Sequence, residues 1–402
     1  MASELRVNQI TSITGVGTVT FDAGGVTFVG SPNLGNAAIT SINSGPISGA
    51  RNKIINGDMR LDQRNNGASV TPSDGQYTLD RYQSWLSQSS KFSVQRTATA
   101  PVGFTSSILI TSLSALSVGA NDEHGITQKI EGNNISDLNW GTVDAKPVTL
   151  SFWVRSSITG NFGGIVGNGS SLNRIYPFAY TINSANTWEY KIITITGETS
   201  GTWTINETWG MAVHFQFGVG SNRTGSPGSW INGNSSIRGV TNQTNLLATN
   251  GATWNMTGLQ LESGTIATPF ERRSYGQELA LCQRYFETNY QPGYTAGFNF
   301  AETYPWNNSK AWGLNFNASD DAVTAQSMYW KVTKRSAPVV TLYSPNNGTA
   351  GQGYRYSATS GAGNFTMSVT QTTPDHALLT ITLAATGSTT ESYFMFTANS
   401  EL

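Results

Sequence analysis

The chain has 402 residues, with 23 Lys and Arg against 24 Asp and Glu, a formal net charge of -1, and only 12% charged side chains. Near-neutrality removes the field that sequence-independent nucleic-acid binding or a polybasic membrane patch requires, so neither partner is expected. A single cysteine, Cys282, and three histidines exclude an internal disulfide and a zinc site of ordinary composition.

Solubility rests instead on 44 Ser, 50 Thr and 35 Asn beside 43 Gly. Short hydroxyl and amide side chains favour turns and caps, and Thr favours a pleated surface, so the expected class is all-β. The length allows two or three domains, each able to bury a core. Glu4 and Arg6 stand where a secretory peptide would carry its apolar run, and no stretch approaches 18 apolar residues, so neither signal-peptide export nor a membrane-spanning helix is expected.

Residues 1–50 hold short β-like patches separated by glycine, such as 17–21 and 25–29. Patches this short cannot close a core alone. The segment is either a disordered tail or a fibre-like arm ordered by sister copies or by another protein.

From about residue 50 the pattern turns to full strands. In 148–155 Val148, Leu150, Phe152 and Val154 take one face, and Thr149, Ser151, Trp153 and Arg155 the other. In 211–219 the odd positions are apolar while His214 and Gln216 lie opposite. Residues 190–196 and 254–261 are further strands, with Gly, Asn and Ser clusters between, which suggests a β-sandwich over 51–273.

A helix is expected from Ser274 to about Phe286, because Ser274 and Gln277 fit a capping box and Tyr275, Leu279, Cys282 and Phe286 share a stripe. It serves as a linking element over 274–287. Residues 288–402 return to strands, including 337–343 and 378–383, and form a second, smaller β-sandwich tip.

Several of these strings resemble a known family. SELRVNQI, followed by glycine-separated patches, resembles the N-terminal segment of tail fibres from marine and cyanobacterial phages. The string 52–60, then 77–82, looks like the start of the jelly-roll module found in phage tail fibres, and 258–264, 267–271 and 281–286 look like its close. Lys334-Arg335-Ser336-Ala337-Pro338 resembles the distal domain of the same fibres.

The resemblance implies an intertwined homotrimeric virion fibre. Residues 1–50, with Leu5, Val7 and Ile10 as contacts, would dock on a tail adaptor, nozzle or baseplate protein, and the distal domains would meet a host surface polysaccharide or lipopolysaccharide. The module is also similar to carbohydrate-binding modules that carry a structural calcium. Those usually place an acidic residue where this chain has Met59-Arg60, which leaves Asp58 and Glu262 as the oxygen ligands to consider. No metal or cofactor is expected.

Catalytic patterns are sparse. Asp375-His376 and 121–125 read as solvated turns, and there is no nucleophile elbow, phosphate loop or paired-histidine metal motif. Two carboxylates suffice for glycoside cleavage, so a depolymerase is the rival reading; the repeated rungs that such enzymes resemble are not visible, and the chain is expected not to be an enzyme. A purely structural connector is the other alternative.

Sugar binding without cleavage needs flat aromatic faces beside amides and hydroxyls. Trp153 and His214 are candidates because alternation sets them opposite the core, unless a second layer covers that face. Tyr304, Trp306 and Trp312 form an aromatic and amide cluster in the tip, and Tyr354 and Tyr356 stand beside flexible glycines. Ligand contact and packing within a trimer are both open for these rings.

Overall fold

The computed structural model describes residues 51–169, 171–290, 294–298, 323–356, 363–382 and 391–402. Within them the chain is mostly β with one short helix. Among the described residues, no helix is long and apolar enough to cross a membrane. The expected arm, with Leu5, Val7 and Ile10, lies outside the described residues, as do Tyr304, Trp306 and Trp312.

Two antiparallel sheets form the first sandwich. One has seven strands in the order Tyr77–Leu79, Tyr82–Leu86, Glu123–Glu131, Trp209–Val219, Gly160–Asn168, Arg174–Ile182 and Ile231–Asn232. The other has five, in the order Phe92–Thr97, Ser107–Ser112, Thr253–Ser263, Val148–Ser156 and Glu189–Ile195. The alternation explains the layering. Val148, Leu150, Phe152 and Val154 are fully buried, and Met211, Val213, Phe215 and Phe217 meet them from the opposite sheet.

Aromatic rings dominate this core. Phe152 meets Tyr180 and Phe215 edge-on, each at 5.1 Å between ring centroids. Trp254 is fully buried and its indole N–H donates to the Tyr180 hydroxyl at 3.1 Å, which satisfies a polar group that burial would otherwise leave unpaired.

The two strings that bracket this sandwich in the sequence meet in space. Asn52 donates to the Leu259 carbonyl at 3.0 Å and accepts from the amides of Ile54 and Leu261, both at 3.0 Å. Gln128 holds Ile55 through both its amide N–H and its backbone carbonyl, at 2.8 and 2.9 Å. Gly57 lies so close to the passing chain that a Cβ would overlap the Leu259 carbonyl oxygen. Short amides and a glycine are needed here because an irregular segment has no ladder to satisfy its backbone.

The helix runs from Tyr275 to Gln283, with Ser274 as N-cap and a complete capping box to Gln277. It ends earlier than the apolar stripe suggests because the next residues are otherwise engaged: Arg284 and Tyr285 bind Glu131, and Phe286 begins a strand. Cys282 and Tyr285 pack with Ile55 and Leu61 of the opening segment.

Beyond it, Phe286–Thr288, Met395–Asn399 and Val339–Tyr343 form a three-stranded sheet. A five-stranded sheet follows the order Val323–Tyr329, His376–Thr382, Gly363–Thr372, Gln352–Tyr356 and Glu391–Tyr393. They share a core that includes Trp330, Leu342, Phe365, Met367, Leu379 and Phe396. The Lys334-Arg335 string has a direct structural role. Lys334 is buried and donates to Glu287 at 2.5 Å and to the Gln283 carbonyl at 2.6 Å, while Arg335 donates to the carbonyls of Ser400 and Glu401.

Candidate functional site

Strand pairing places Trp153 on the outer face of the five-stranded sheet, directly across from Tyr190 on one side and Thr257 on the other. The Trp153 and Tyr190 rings lie 5.3 Å apart and are tilted by 42°. Trp153 is half-buried, Tyr190 is 39% exposed, and Ile192, on the same face two residues along, is 55% exposed. Glu189 fixes where this strand begins. Its carboxylate accepts from the amides of Asn183 and Ser184 and from Lys191; slight burial raises its pKa, but these hydrogen bonds outweigh that and hold it at about 2.

A bulge between Thr257 and Gln260 extends the aromatic surface. Gly258 sits in it with a φ of 63°, a conformation open to glycine, and an added Cβ would lie 2.7 Å from the Phe104 ring and 3.3 Å from the Trp153 ring. Phe104 in turn meets Phe270 at 5.4 Å, and the Arg272 guanidinium stacks 4.7 Å from the Phe104 centroid. Tyr190, Trp153, Phe104 and Phe270 therefore form one row. Arg155, on the Trp153 face of its strand, donates to the Asn186 carbonyl at 2.9 Å and supplies polar groups at the margin. Such a row offers flat apolar faces beside hydrogen-bonding groups.

His214 has a different setting. It faces away from the core, as alternation predicts, yet it has no exposed surface. The chain itself roofs that face: Ile237 packs with Ile165, Leu172 and Ile175, and Trp85 meets the His214 ring edge-on at 4.9 Å. Burial first, then the nearby Arg238 and Lys129 charges, pushes the imidazole pKa well below its usual value. Burial thus favours the neutral imidazole, and among the described residues neither ring nitrogen has a hydrogen-bond partner.

Tyr354 is also buried, at 4% exposure, in the middle of a strand rather than beside a loop. Gly353 explains the difference, since its Cβ position is filled by the Phe365 ring and the Met367 sulfur. Tyr356 ends the same strand, paired with Glu391. Reasoning from single strands missed Tyr190, Phe104 and Phe270. Tyr190 alternates with Lys191 and was legible as an outward position, whereas the two phenylalanines lie in loops and carry no periodic signal.

The residues considered for calcium are engaged with the chain itself. Asp58 pairs with the Arg60 guanidinium at 2.5 Å, and Glu262 accepts from Gln260, from the Thr268 amide and from the Thr268 hydroxyl. This donor set does not fit a cation that takes six to eight oxygens. Among the described residues, no group of three or more His, Cys, Asp or Glu is placed to hold a metal ion.

No protein-family model matches the chain, and no curated protein does. Among solved structures it is similar to the enzymatically active domain of tailspike protein 4 from bacteriophage CBA120, with 12% identity over 55% of this chain and a TM-score of 0.31. The match spans 23% of that tailspike chain. It is also similar to a family 11 carbohydrate-binding module from Clostridium thermocellum, with 11% identity, 50% of this chain, 98% of that one and a TM-score of 0.26. A third is described as a sugar-binding protein of Bacteroides thetaiotaomicron, with 9% identity, 53% and 99% coverage and a TM-score of 0.30. At these scores, the ligand question rests on this chain's own residues.

Proposed function

We propose that this chain is a phage tail fibre that attaches the virion to its host by binding a surface glycan, without cleaving it. The observation that carries the reading is the half-buried Trp153 beside the exposed Tyr190, within an aromatic row on the sheet. Pyranose rings present an apolar face that stacks on such rings, and the flanking amides and guanidinium groups meet the hydroxyls. Residues 1–50 serve as the virion-attachment arm, 51–273 as the glycan-binding jelly roll, 274–287 as the linking helix and 288–402 as the distal tip. Three copies per fibre and several fibres per particle let weak sites act together through effective concentration.

The test is binding of the full-length protein to host cells and to their purified envelope polysaccharide. Trp153→Ala is expected to weaken single-site binding about tenfold, the loss of one aromatic stack of about 1.4 kcal/mol, with the melting temperature unchanged. Shortened polysaccharide chains after incubation would favour the depolymerase reading. Binding to neither cells nor polysaccharide, together with a requirement in tail assembly, would favour a structural connector.

A further inference from the structure

A cleft of about 410 Å³ opens between the loop at 63–65, residues 75–77 at the start of the Tyr77–Leu79 strand, and the outer face of the three-stranded sheet. Its volume falls within the range of small-molecule sites, about 300–1,000 Å³. The inner face of that sheet carries Val340, Leu342, Phe396 and Ala398 into the distal core. By the period of two, the outer face carries the alternate residues, and strand register aligns them in rows. Phe286, Asn399 and Val339 form one row; Thr288, Thr397 and Thr341 form the next.

These side chains differ in what they have already spent. Thr288 donates its hydroxyl to the Phe396 carbonyl at 2.9 Å. Thr341 and Thr397 make no side-chain hydrogen bond among the described residues, and Asn399 uses only its carbonyl oxygen, on the Glu401 amide. Gln76, on the opposite wall, likewise uses only its oxygen, on Ser73. The cleft's arginine is held in place, by a carboxylate that the buried Arg81 also uses. Arg64 pairs with Glu401 at 3.0 Å and stacks its guanidinium 3.7 Å above the Phe286 ring. Tyr343 adds a half-buried ring at the end of the sheet.

We infer that this cleft is a second ligand site, separate from the Trp153 row, and that it takes an uncharged, hydroxyl-rich ligand, a short neutral oligosaccharide. Unspent hydroxyl and amide groups of both polarities on opposite walls, with an aromatic ring beside them, match alternating sugar hydroxyls and ring faces. Among the described lining residues the one arginine is held by Glu401 and the Phe286 ring, so neutral hydroxyls and amides make up most of what the cleft offers a ligand.

Full-length protein is titrated calorimetrically with lactose, maltotriose, cellotriose, chitotriose and mannotriose, and with sialyllactose as the charged counterpart of lactose. At least one neutral probe is expected to bind saturably, with an affinity that does not fall as salt is raised and is not exceeded by sialyllactose. Thr341→Val with Thr397→Val keeps β-branched strand residues and is expected to weaken that binding at least tenfold, as is Asn399→Ala. Trp153→Ala is expected to leave it unchanged, which separates this site from the one proposed above. The inference is overturned if none of the neutral probes binds. It is also overturned if sialyllactose binds more tightly than lactose, or if the probe is lost with Trp153→Ala and kept in both cleft variants.

Discussion

Arg284 donates two parallel hydrogen bonds to Glu131, Nη2 to Oε1 at 2.7 Å and Nε to Oε2 at 2.9 Å. Tyr285 adds its hydroxyl to Oε2 at 2.7 Å. The residues that close the helix thus hold a strand 153 positions earlier. Bidentate pairs of this kind fix geometry as well as energy.

Glu131→Gln is therefore expected to lower stability in urea by about 2 kcal/mol at neutral pH, since one charge-assisted pair becomes a neutral contact. Burial by itself raises the Glu131 pKa, but the hydrogen bonds from Arg284 and Tyr285 outweigh it and lower the folded value. A depressed folded pKa adds stability above the unfolded value and loses it as pH falls through the folded one. The gap between wild type and Glu131→Gln should accordingly close below pH about 4.5; a gap that stays constant into acid would refute the assignment.

Asp80 has the opposite sign. Full burial raises its carboxyl to about 6, against the lowering effects of Arg64 and the Gln63 amide. The folded chain then holds a proton that the unfolded chain has already released. Stability should fall as pH rises from about 4 to about 6 and level off above. Asp80→Asn keeps an oxygen for the Gln63 amide and should flatten that part of the curve in melts at stepped pH. An unchanged slope would assign the dependence elsewhere.

Lys334 and Glu287 form a buried pair. Lys334→Met leaves Glu287 with the Lys331 amide at 3.2 Å and no cation, so a loss of about 3–5 kcal/mol is expected. Adding Glu287→Leu removes the stranded charge and should recover most of that loss. A double variant no more stable than the single one would show that the pair's backbone contacts, not its charges, matter most.

Two glycines should respond oppositely to alanine. At Gly57 the new Cβ overlaps the Leu259 carbonyl oxygen and comes within 3.2 Å of the Phe270 ring, so Gly57→Ala should cost about 2 kcal/mol or more. At Gly276, in the first turn of the helix, the Cβ meets open space. Gly276→Ala should add about 0.5–1 kcal/mol. Thermal melts of the two variants decide both.

Much of this fold was legible because alternation is a local property. Val148 to Val154 and Met211 to Phe217 face the core as their period requires, and the Ser274–Gln277 box caps the helix. The same period put Trp153 and His214 in equivalent outward positions. The glycines beside Tyr354 suggest flexibility in the sequence, whereas Gly353 is small so that Phe365 and Met367 can pack over the strand.

The amino-acid order alone determined the strands at 148–155 and 211–219, where the helix starts, and which side chains of those strands turn away from the core, since each follows from neighbours a few positions apart; 121–125, read as a solvated turn, instead opens the strand Glu123–Glu131 and buries His124. Only the tertiary structure decided what lies over those outward faces. Trp85 closes over His214 and Ile237 packs on the neighbouring Ile165, Leu172 and Ile175, while Tyr190 beside Trp153 stays 39% exposed among the described residues. Coverage depends on contacts between segments far apart in the chain, and no short-range pattern carries that information.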